Sequence, residues 1–573
     1  MCLRDVPPCQ AAASPSVGYP TGRRSVMLEW HECPFETRGW GVTTTADAVV
    51  IGAGHNGLVA ANMLADAGWD VVVLEATPYA GGAVRTAEVA AEGVPSDLCS
   101  SFYPFGAAST VLQSLGLTDY GLRWVSSPAA LAHVMPDRRV ALLSRSPEGT
   151  AESVAEYADA DGQAWLDLYD QWRRVSLPLR KALFQPFPPV RPALSLLARL
   201  GTPEALRLVR RLLLPVRELG EELFRGEGAR VLLTGNALHS DVSPEGAGSG
   251  VFGWLLAMIG QEFGFPAAAG GAQSITDALL RRLAAGGGRV VLEAPVERVI
   301  VGGGKALGVR TADGRAWRAR RAVLADVPAL TLYRELVGTS HLPARMVSDL
   351  AGFRYDRPIL KLDWALNSPV PWKDHRLGLA STVHIGGDTA GLTRSAAALA
   401  AGDDPAEPFV LFGQPDVADP GRSRPGTEAA WAYTHLPQRY AELSAGDERI
   451  AAYVERIEAR LADLAPGFRS TVIGRYVQGP KELYEKNPSM VCGALGAGTS
   501  SLGQQLIFRP VPGLGRADTP VERLYLASAA AHPGGGVHGV PGANAARSAL
   551  HAAGPVTGAL YRAAIRGAHR LVY

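Results

Sequence analysis

The chain has 573 residues, an apolar content of 47%, a charged fraction of 19% and a formal net charge of +1 at pH 7. This composition predicts a folded protein of two or more domains and excludes an intrinsically disordered chain. A net charge near zero provides no field that would recruit nucleic acid, and the sequence contains no basic cluster interleaved with aromatics. We therefore predict no nucleic-acid partner.

Five cysteines occur, and none forms a Cys-x-x-Cys pair: Cys2, Cys9, Cys33, Cys99 and Cys492. This spacing predicts neither a metal site nor a redox dithiol. A small, odd number of cysteines is typical of a reducing compartment, so we expect a cytoplasmic protein. The sequence has no uninterrupted apolar run of the roughly 18 to 20 residues that span a bilayer.

Residues 1–46 are rich in Pro, Gly, Ser and Thr and have no sustained periodicity. They predict a flexible N-terminal extension. Arg23 and Arg24 could suggest an export signal, but no apolar stretch follows them.

The stretch from Asp47 to Glu75 predicts a complete βαβ unit. An apolar strand at 47–51 is followed by a glycine-rich turn, a helix at 58–67 and a second apolar strand at 71–74. Short, almost wholly apolar strands are typical of a parallel sheet that is buried on both faces.

The glycines of this turn have the spacing of a dinucleotide-binding fingerprint. Gly52 permits the tight turn, Gly54 lets the backbone approach a pyrophosphate, and Gly57 allows close helix–strand packing. The helix N terminus offers unpaired N–H groups to the phosphates. Glu75 lies 18 residues after Gly57 and can accept hydrogen bonds from a ribose 2′-OH. A purely structural turn would explain the glycines but not Glu75, so we predict dinucleotide binding.

The next segment distinguishes between dinucleotides. Gly81 and Gly82 resemble the double glycine that follows the acidic residue in FAD-containing oxidoreductases and that NAD-only domains usually lack. The predicted cofactor is therefore FAD. Those proteins often have Arg directly after the glycine pair, where this chain has Ala83. Arg85 is the candidate phosphate contact instead.

The region from 109 to 265 is predicted to be mostly helical. Its stretch 177–217 is basic and rich in proline, which predicts several short helices. The arginines there favour either a solvated surface or peripheral contact with a membrane. The apolar stretch 246–264 is too short to span a bilayer and predicts a core helix beside an apolar substrate cavity.

Strands return in the second half of the chain. Alternating runs at 296–301, 306–311 and 316–319, separated by glycine-rich turns, predict a three-stranded meander. Near the C terminus, a strand at 524–527 leads into a glycine-rich turn and an alanine-rich helix at about 540. That order again creates an anion-binding helix N terminus.

Together these motifs resemble the phytoene-desaturase-like FAD-dependent oxidoreductases. The resemblance rests on the fingerprint, the double glycine and the segment His532–Gly539. Within this family, Gly54–Ala61 and Arg509–Pro512 resemble the branch called pyridine nucleotide-disulfide oxidoreductase domain-containing protein 2. The cysteine spacing does not support the disulfide chemistry in that name. The resemblance covers nearly everything after residue 46.

The resemblance implies an α/β fold with a Rossmann-like FAD-binding domain of the two-dinucleotide-fold flavoprotein type. An α+β substrate domain is inserted into it. The implied FAD-binding domain consists of residues 47–108, 266–345 and 519–573. The implied substrate domain consists of residues 109–265 and 346–518.

The implied activity is that of an FAD-dependent dehydrogenase or desaturase, in which a hydride moves from an apolar small molecule to flavin N5. Amine oxidation is disfavoured, because Val537 or His538 stands where amine oxidases have the tyrosine of their aromatic cage. Two alternatives are a redox-neutral FAD-dependent isomerase and a non-enzymatic, FAD-stabilised partner protein.

The resemblance also assigns cofactor contacts. Ser101 lies in the segment that passes beside the isoalloxazine ring, and Val296 contacts the adenine side through its backbone. Gly535, Gly536 and Val537 belong to the turn before the last anion-binding helix. The dipole of that helix would stabilise negative charge on the reduced ring.

Three side chains are candidate catalytic groups. Lys361 loosely matches a lysine that approaches flavin N5 through a water molecule, which a desolvated lysine can hold. The alternative is a surface lysine on an edge strand. His532 and His538 are candidate acid–base groups because histidine titrates near neutral pH. Their alternative role is to position the backbone of the glycine-rich turn.

Overall fold

The computed structural model describes residues 43–573. The extension predicted at residues 1–46 lies outside the described residues, apart from its last four residues, which belong to the first strand. These described residues form eighteen strands: β1 Thr43–Ile51, β2 Val71–Leu74, β3 Thr86–Ala91, β4 Val94–Asp97, β5 Trp124–Val125, β6 Ala129–Val134, β7 Val140–Ser144, β8 Ala267–Ala268, β9 Arg289–Val291, β10 Val296–Gly302, β11 Lys305–Thr311, β12 Ala316–Ala325, β13 Ile359–Leu366, β14 Ala380–Ile385, β15 Val410–Gly413, β16 Glu428–His435, β17 Val472–Gln478 and β18 Leu524–Leu526.

The same part of the chain forms eighteen α-helices, besides short 3-10 and π segments: α1 His55–Asp66, α2 Pro104–Ala108, α3 Thr110–Ser114, α4 Pro147–Ala155, α5 Asp159–Leu183, α6 Val190–Leu213, α7 Val216–Leu223, α8 Glu227–Ala237, α9 Ser249–Phe263, α10 Gln273–Ala285, α11 Ala344–Ala351, α12 Thr389–Ala401, α13 Pro415–Ala418, α14 Glu448–Leu464, α15 Phe468–Thr471, α16 Pro480–Lys486, α17 Val540–Ala553 and α18 Gly558–Val572. No helix within residues 43–573 is long and apolar enough to cross a bilayer.

A seven-stranded sheet contains the predicted βαβ unit. Its order is β10-β11-β12-β1-β2-β9, and β18 also pairs with β12. Strands β1, β2, β9 and β18 are parallel to their neighbours, so the short apolar runs are buried on both faces, as the sequence predicts. Helices α1, α10 and α17 share one apolar core on this sheet, and the meander packs around a second core.

A second seven-stranded sheet has the order β17-β13-β16-β15-β14-β6-β7. It is antiparallel except for the parallel pair β14–β6. Helix α14 covers one face through Ile450, Tyr453, Ile457 and Leu461. The opposite face packs against residues 98–102 and against α8. Helices α5 to α9 form a separate helical layer with its own core.

The predicted breaking of the basic stretch 177–217 into several helices is confirmed, because α5 ends at Leu183, α6 is broken at Gly201 and α7 begins at Val216. Pro178 lies inside α5, and α6 runs for 24 residues with one break at Gly201, where φ is 70° and ψ is 166°. Pro192 stands in the first turn of α6, where a missing N–H costs no intrahelical hydrogen bond. Pro186, Pro188 and Pro189 lie between α5 and α6, and Pro215 lies between α6 and α7, so four of the seven prolines of this stretch mark helix ends.

Helices α1 and α17 approach each other through Gly542. A Cβ at this position would overlap the carbonyl oxygen of Asn56. We expect Gly542→Ala to lower the free energy of unfolding by about 1 to 3 kcal/mol, because the two helices must move apart. The measurement is urea unfolding followed by circular dichroism.

Gly567→Ala in α18 is the matched control. No atom lies within 4 Å of a Cβ there, and the helix is exposed. Alanine should stabilise this position by about 0.5 to 1 kcal/mol through helix propensity. Equal stability of Gly542→Ala and the parent chain would contradict the packing argument.

Candidate flavin and substrate site

The glycine-rich turn between β1 and α1 packs against Asp326, which directly follows β12. The Gly57 N–H donates to Asp326 Oδ2 over 2.8 Å, and the Asp326 N–H donates to the carbonyl of Ile51. A Cβ on Gly54 would lie 2.6 Å from Asp326 Oδ2, and one on Gly52 would lie 2.7 Å from the Asp326 carbonyl oxygen. The glycines therefore let this carboxylate reach the N terminus of α1.

Asp326 was not among the residues predicted from the sequence, although a signal for it exists. The residue follows an apolar run that ends a parallel strand, and ligands of open α/β sheets bind beyond the carboxyl ends of the strands. Desolvation raises the pKa of Asp326 to about 7, the neighbouring Glu75 charge adds to this increase, and the Gly57 hydrogen bond opposes it.

The structure brings the predicted cofactor-binding residues of the first βαβ unit together. Glu75 Oε2 accepts the Ala53 N–H over 2.8 Å, and Glu75 Oε1 accepts the N–H and the hydroxyl of Thr77. The Gly81 N–H donates to the Ala53 carbonyl, and a Cβ on Gly82 would lie 3.4 Å from the Gly54 Cα. The double glycine thus packs directly on the fingerprint turn.

Arg85 and Val296 lie at the edge of this group. The Arg85 guanidinium stands 4.2 Å from the centre of the Tyr79 ring, which is itself largely exposed. Val296 begins β10 opposite Thr311, two residues after Ala294, whose N–H donates to the Glu75 carbonyl. The backbone at Val296 is therefore connected to Glu75 through the neighbouring hydrogen bond of Ala294.

The segment after β4 is anchored at Asp97. Its carboxylate accepts the Thr86 hydroxyl over 2.7 Å, the Ala272 N–H over 2.8 Å and Arg422 Nη1 over 3.0 Å. Four residues later the Ser101 hydroxyl is buried and has no hydrogen-bond partner among residues 43–573. A buried hydroxyl without a partner fits a bound group that supplies one.

The C-terminal glycine-rich turn meets this segment and the fingerprint. His55 Nε2 lies 3.2 Å from the carbonyl oxygen of Gly536. The Val537 carbonyl oxygen would lie 3.1 Å from a Cβ on Gly106 in α2. A Cβ on Gly535 would approach the Gly496 Cα at 3.0 Å. Gly535, Gly536 and Val537 therefore stand at the junction of three chain segments, just before α17.

The two candidate histidines of this turn have different surroundings. His538 Nδ1 accepts the Val540 N–H over 3.2 Å, and the His538 carbonyl accepts the Ser109 hydroxyl over 2.7 Å. The ring of His532 is buried, and within the described part of the chain neither of its nitrogens has a hydrogen-bond partner. Desolvation lowers the pKa of His532 to about 4 and that of His538 to about 3.

Arg509 stabilises the loop that faces this turn. It is buried, and its guanidinium donates to the carbonyl oxygens of Gly496, Thr499 and Ala529. Burial lowers the pKa of Arg509 to about 10. The Arg509 hydrogen bonds therefore fix the position of Gly496, which lies against Gly535.

Lys361 is buried, which excludes the alternative of a surface lysine on an edge strand. It lies on β13, which pairs with both β16 and β17, and its Nζ stands 2.5 Å from Asp363 Oδ1. Burial raises the pKa of Asp363, whereas the Lys361 charge opposes this increase. Gln478 donates weakly to both Asp363 Oδ2 and the Leu98 carbonyl, so this pair faces the segment that contains Ser101.

A row of side chains crosses the second sheet at the level of Lys361. Residues directly opposite in paired strands share a face. The register sets the row as Gln478, Lys361, Tyr433, Leu411, His384 and His133. The sequence could not reveal this row, because it depends on strand pairing between distant segments.

Two histidines of the row approach a third one. His239 Nε2 and His384 Nε2 lie 2.8 Å apart, and the rings of His384 and His133 are 5.7 Å apart. A Cβ on Gly235 would lie 3.1 Å from His133 Nδ1 and even closer to His384 Nδ1. Desolvation lowers the pKa of His239 to about 3 and that of His133 to about 4, so these rings are neutral.

Aromatic side chains cover the same face of the sheet. Trp431 and Tyr433 stack with ring centres 6.1 Å apart, and Phe102 lies 5.9 Å from Trp431. The indole of Trp431 occupies the space where a side chain at Gly413 would be. Phe409 meets His384 edge-on at 5.1 Å. This surface therefore combines apolar walls with a few polar groups, as in many small-molecule sites.

Comparison with known proteins assigns the family. A model described as flavin containing amine oxidoreductase matches residues 57–556. The chain belongs to this family. It is therefore an FAD-dependent oxidoreductase, and the prediction of FAD as the cofactor is confirmed. The non-enzymatic alternative does not agree with this membership.

Individual proteins and solved structures are also similar to this chain. Pyridine nucleotide-disulfide oxidoreductase domain-containing protein 2 of Mus musculus is 28% identical, over 87% of this chain and 92% of its own length. An oxidoreductase from Methanosarcina mazei superposes with a TM-score of 0.59 at 16% identity, over 88% of this chain and 99% of that one. Putrescine oxidase bound to putrescine gives 0.59 at 17% identity, over 89% and 99%. The predicted α/β flavoprotein fold is confirmed.

The residues of this family member fit FAD. The Ser101 hydroxyl and Asn56 Oδ1 are buried without hydrogen-bond partners in the described chain, beside the two glycine-rich turns. Such atoms are normally satisfied in native proteins. No group of three or more His, Cys, Asp or Glu within residues 43–573 is arranged to hold a metal ion.

Asp326→Asn tests the half-buried carboxylate of the fingerprint turn. The pKa of Asp326 in the folded chain is about 7, above the value of about 4 expected in the unfolded chain. The folded chain therefore binds an extra proton between these pH values, and its stability falls as the pH rises through this window. The decrease in the free energy of unfolding across this window is at most about 4 kcal/mol, and water that reaches the carboxylate makes it smaller.

Asparagine does not titrate, so the difference in unfolding free energy between Asp326→Asn and the parent chain should grow from about pH 4 to about pH 7. Urea unfolding of both proteins across this range measures the difference. Asp403→Asn at an exposed position is the control. A pH-independent difference for Asp326→Asn would refute the raised pKa.

Proposed function

We propose that the chain catalyses a phytoene-desaturase-like oxidation, in which an uncharged, apolar small molecule loses a hydride to FAD N5 and a proton to protein side chains. The observation that carries this proposal is the row from Lys361 to His133 beside the aromatic wall. The face offers apolar contact area and neutral proton acceptors. The carboxylate beside Lys361, Asp363, is already paired.

A cationic amine would find little to bind on this surface. A buried cationic amine calls for an unpaired carboxylate, because aromatic faces alone do not offset the cost of removing its charge from water. The charge of Asp363 is neutralised by Lys361, and the histidines His239 and His384 are uncharged. An apolar substrate has no such requirement and packs against Phe102 and Trp431.

FAD supplies the hydride acceptor, and the protein's task is to hold and orient it. We propose that the α1 N terminus and Gly54 receive its diphosphate, with Gly52, Gly57, Gly81, Gly82 and Arg85 forming the surrounding wall. Glu75 would accept from the ribose, and the Val296 backbone would meet the adenine. Ser101, Gly535, Gly536 and Val537 would line the isoalloxazine.

Lys361 is proposed to hold a water molecule or a polar substrate atom. Its ammonium group has three donors, of which the contact with Asp363 uses one. The buried pair fixes the position of the ammonium, because the carboxylate is itself held by Gln478. The ammonium of Lys361, held at a fixed position away from water, would stabilise negative charge that develops on the reduced flavin or on a bound polar atom.

His239 is proposed to accept the substrate proton and to share it with His384. The side chain of His239 is half-buried, and its ring meets Phe265 edge-on at 6.1 Å. Its neighbour Leu238 shares one apolar cluster with Phe102 and Trp431. The contact of 2.8 Å with His384 allows the proton to pass from one ring to the other.

The histidines of the glycine-rich turn are proposed to have separate roles. His538 positions the turn through its contacts with Ser109 and Val540, and its ring is held between Phe105 and Phe184. His532 has free ring nitrogens and remains the acid–base candidate on this side of the site.

A substrate panel tests the reaction class. Holoprotein is mixed anaerobically with terpenes, polyisoprenoids, long-chain alcohols and, for comparison, aliphatic amines. We expect loss of the yellow flavin absorbance with an apolar compound, and a product lighter by two hydrogens. Reduction by amines alone would refute the proposal. A product of unchanged mass that forms only after prior flavin reduction would identify the isomerase alternative.

Lys361→Met should slow flavin reduction by roughly 10²-fold or more while FAD stays bound, because the fixed charge is lost. It also leaves Asp363 buried without its cation, at a cost of about 3 to 5 kcal/mol. Lys361→Met/Asp363→Asn removes both charges and separates these effects. Stopped-flow reduction with the best panel substrate is the measurement.

Lys481→Met, at an exposed position of α16, is the control and should react at the native rate. If the double variant keeps its flavin and reacts as fast as the native chain, Lys361 has no role in the chemistry.

A further inference from the structure

The outer surface of α6 carries two sets of exposed apolar side chains. They are Val190, Leu194 and Leu197 before the break at Gly201, and Leu206, Val209 and Leu213 after it. Within each set the spacing of three and four residues keeps the side chains on one helical face. Their exposed fractions range from 43% to 65%. Scattered exposed leucines are ordinary, but a contiguous patch marks an interaction surface.

The opposite face of α6 explains why this patch is not simply part of the core. Leu196, Leu200, Leu208 and Leu212 pack against the apolar core of the helical layer. The inner face therefore attaches the helix to the core. The apolar side chains of the outer face are not needed for that packing and are exposed.

Charge on α6 has one dominant sign. The helix contains five arginines and one glutamate: Arg191, Arg199, Arg207, Arg210, Arg211 and Glu204. Arg207 pairs with Glu204, and Arg210 pairs with Glu222 of α7. Neither Arg191 nor Arg199 has an ion pair with another described residue, and both are exposed.

A second helix of the same character lies next to the start of α6. Helix α18 has three arginines and no acidic residue, and Leu560 and Leu571 are exposed by 73% and 91%. Arg516 connects the two regions, because it donates both to the Phe187 carbonyl just before α6 and to the Tyr561 hydroxyl in α18.

A cavity of about 160 Å³ lies beneath α6, between this helix and α5, α7 and α9. Its wall combines leucines and Trp254 with Arg174, Arg207, Arg211 and Glu204. Apolar walls next to guanidinium groups suit an anionic amphiphile better than an uncharged solute.

We propose that α6 docks on the surface of a bilayer that contains anionic lipid. Its outer apolar side chains would enter the acyl-chain boundary, and its arginines would meet the headgroups. A second copy of this chain is a poorer occupant. A self-complementary interface through α6 would bring arginines of one sign together, which is unfavourable.

Vesicle binding tests this proposal without any substrate. The oxidised holoprotein is sedimented with vesicles of phosphatidylcholine, with and without phosphatidylglycerol. We expect binding that is strongest to the anionic vesicles and weakens with salt. Leu194→Gln/Leu206→Gln/Val209→Gln should weaken it at least tenfold, because apolar area is lost while helix propensity is kept.

Matched variants control for general surface effects. Leu292→Gln/Leu379→Gln/Ile473→Gln changes three apolar side chains that are exposed to a similar degree elsewhere, and should bind as the native chain does. Arg191→Gln/Arg199→Gln should lose about fivefold in affinity per arginine on anionic vesicles. Arg298→Gln/Arg345→Gln, at other exposed positions, should not. Flavin absorbance and circular dichroism confirm that each variant is folded.

Three results would overturn the proposal. The first is that the native chain binds neither kind of vesicle, and the second is that the triple α6 variant binds as tightly as the native chain. Alternatively, analytical ultracentrifugation would reveal a native dimer that the triple variant turns into a monomer without any vesicle binding, which would assign the face to a second copy. Each result leaves the proposed oxidation untouched, because no turnover is measured.

Discussion

The buried ion pair of Asp97 and Arg422 connects the segment that follows β4 with the start of α10 and with the loop before β16. Both side chains are almost fully shielded from water, and Asp97 also accepts hydrogen bonds from Thr86 and from the backbone before α10. Isolated buried charges are costly, and this pair is tolerable because its carboxylate has all these partners. The segment with Ser101 starts at Asp97, so its position over the Lys361 face depends on this contact.

The fold was predictable wherever the signal is local. The strand at 71–74 has the predicted bounds, and the three meander strands begin within one residue of their predicted starts, because apolar runs, period-two alternation and glycine turns are read from adjacent residues. In the stretch 177–217 the prolines predicted the helix breaks correctly where they lie between helices, as at 186–189 and at Pro215. Pro192 stands in the first turn and Pro203 follows the break at Gly201, so neither interrupts a formed helix.

The site was predictable only in part, and the reason is again physical. Gly52, Gly54, Gly57 and Glu75 carry a fixed spacing within one βαβ unit, so the sequence alone brings them together. The row through Lys361, Tyr433 and His384 depends on which strands pair and in which register. Nothing local encodes that pairing, and a shift of one residue would turn Lys361 to the other face. The burial of Lys361 could therefore not be predicted from the residues next to it in the sequence.

The neutrality of the histidines on the second sheet has a chemical consequence for the proposed reaction. A histidine whose pKa is lowered to about 3, as for His239, accepts a proton only from a group that becomes a strong acid during the reaction. Oxidation of the substrate creates such a group, because removal of electron density makes the adjacent C–H or O–H acidic. In the proposed reaction the proton would then be shared with His384, whose ring is also desolvated. The low basicity of these histidines leaves the Lys361–Asp363 pair as the charged groups of the row, which agrees with the proposal of an uncharged substrate.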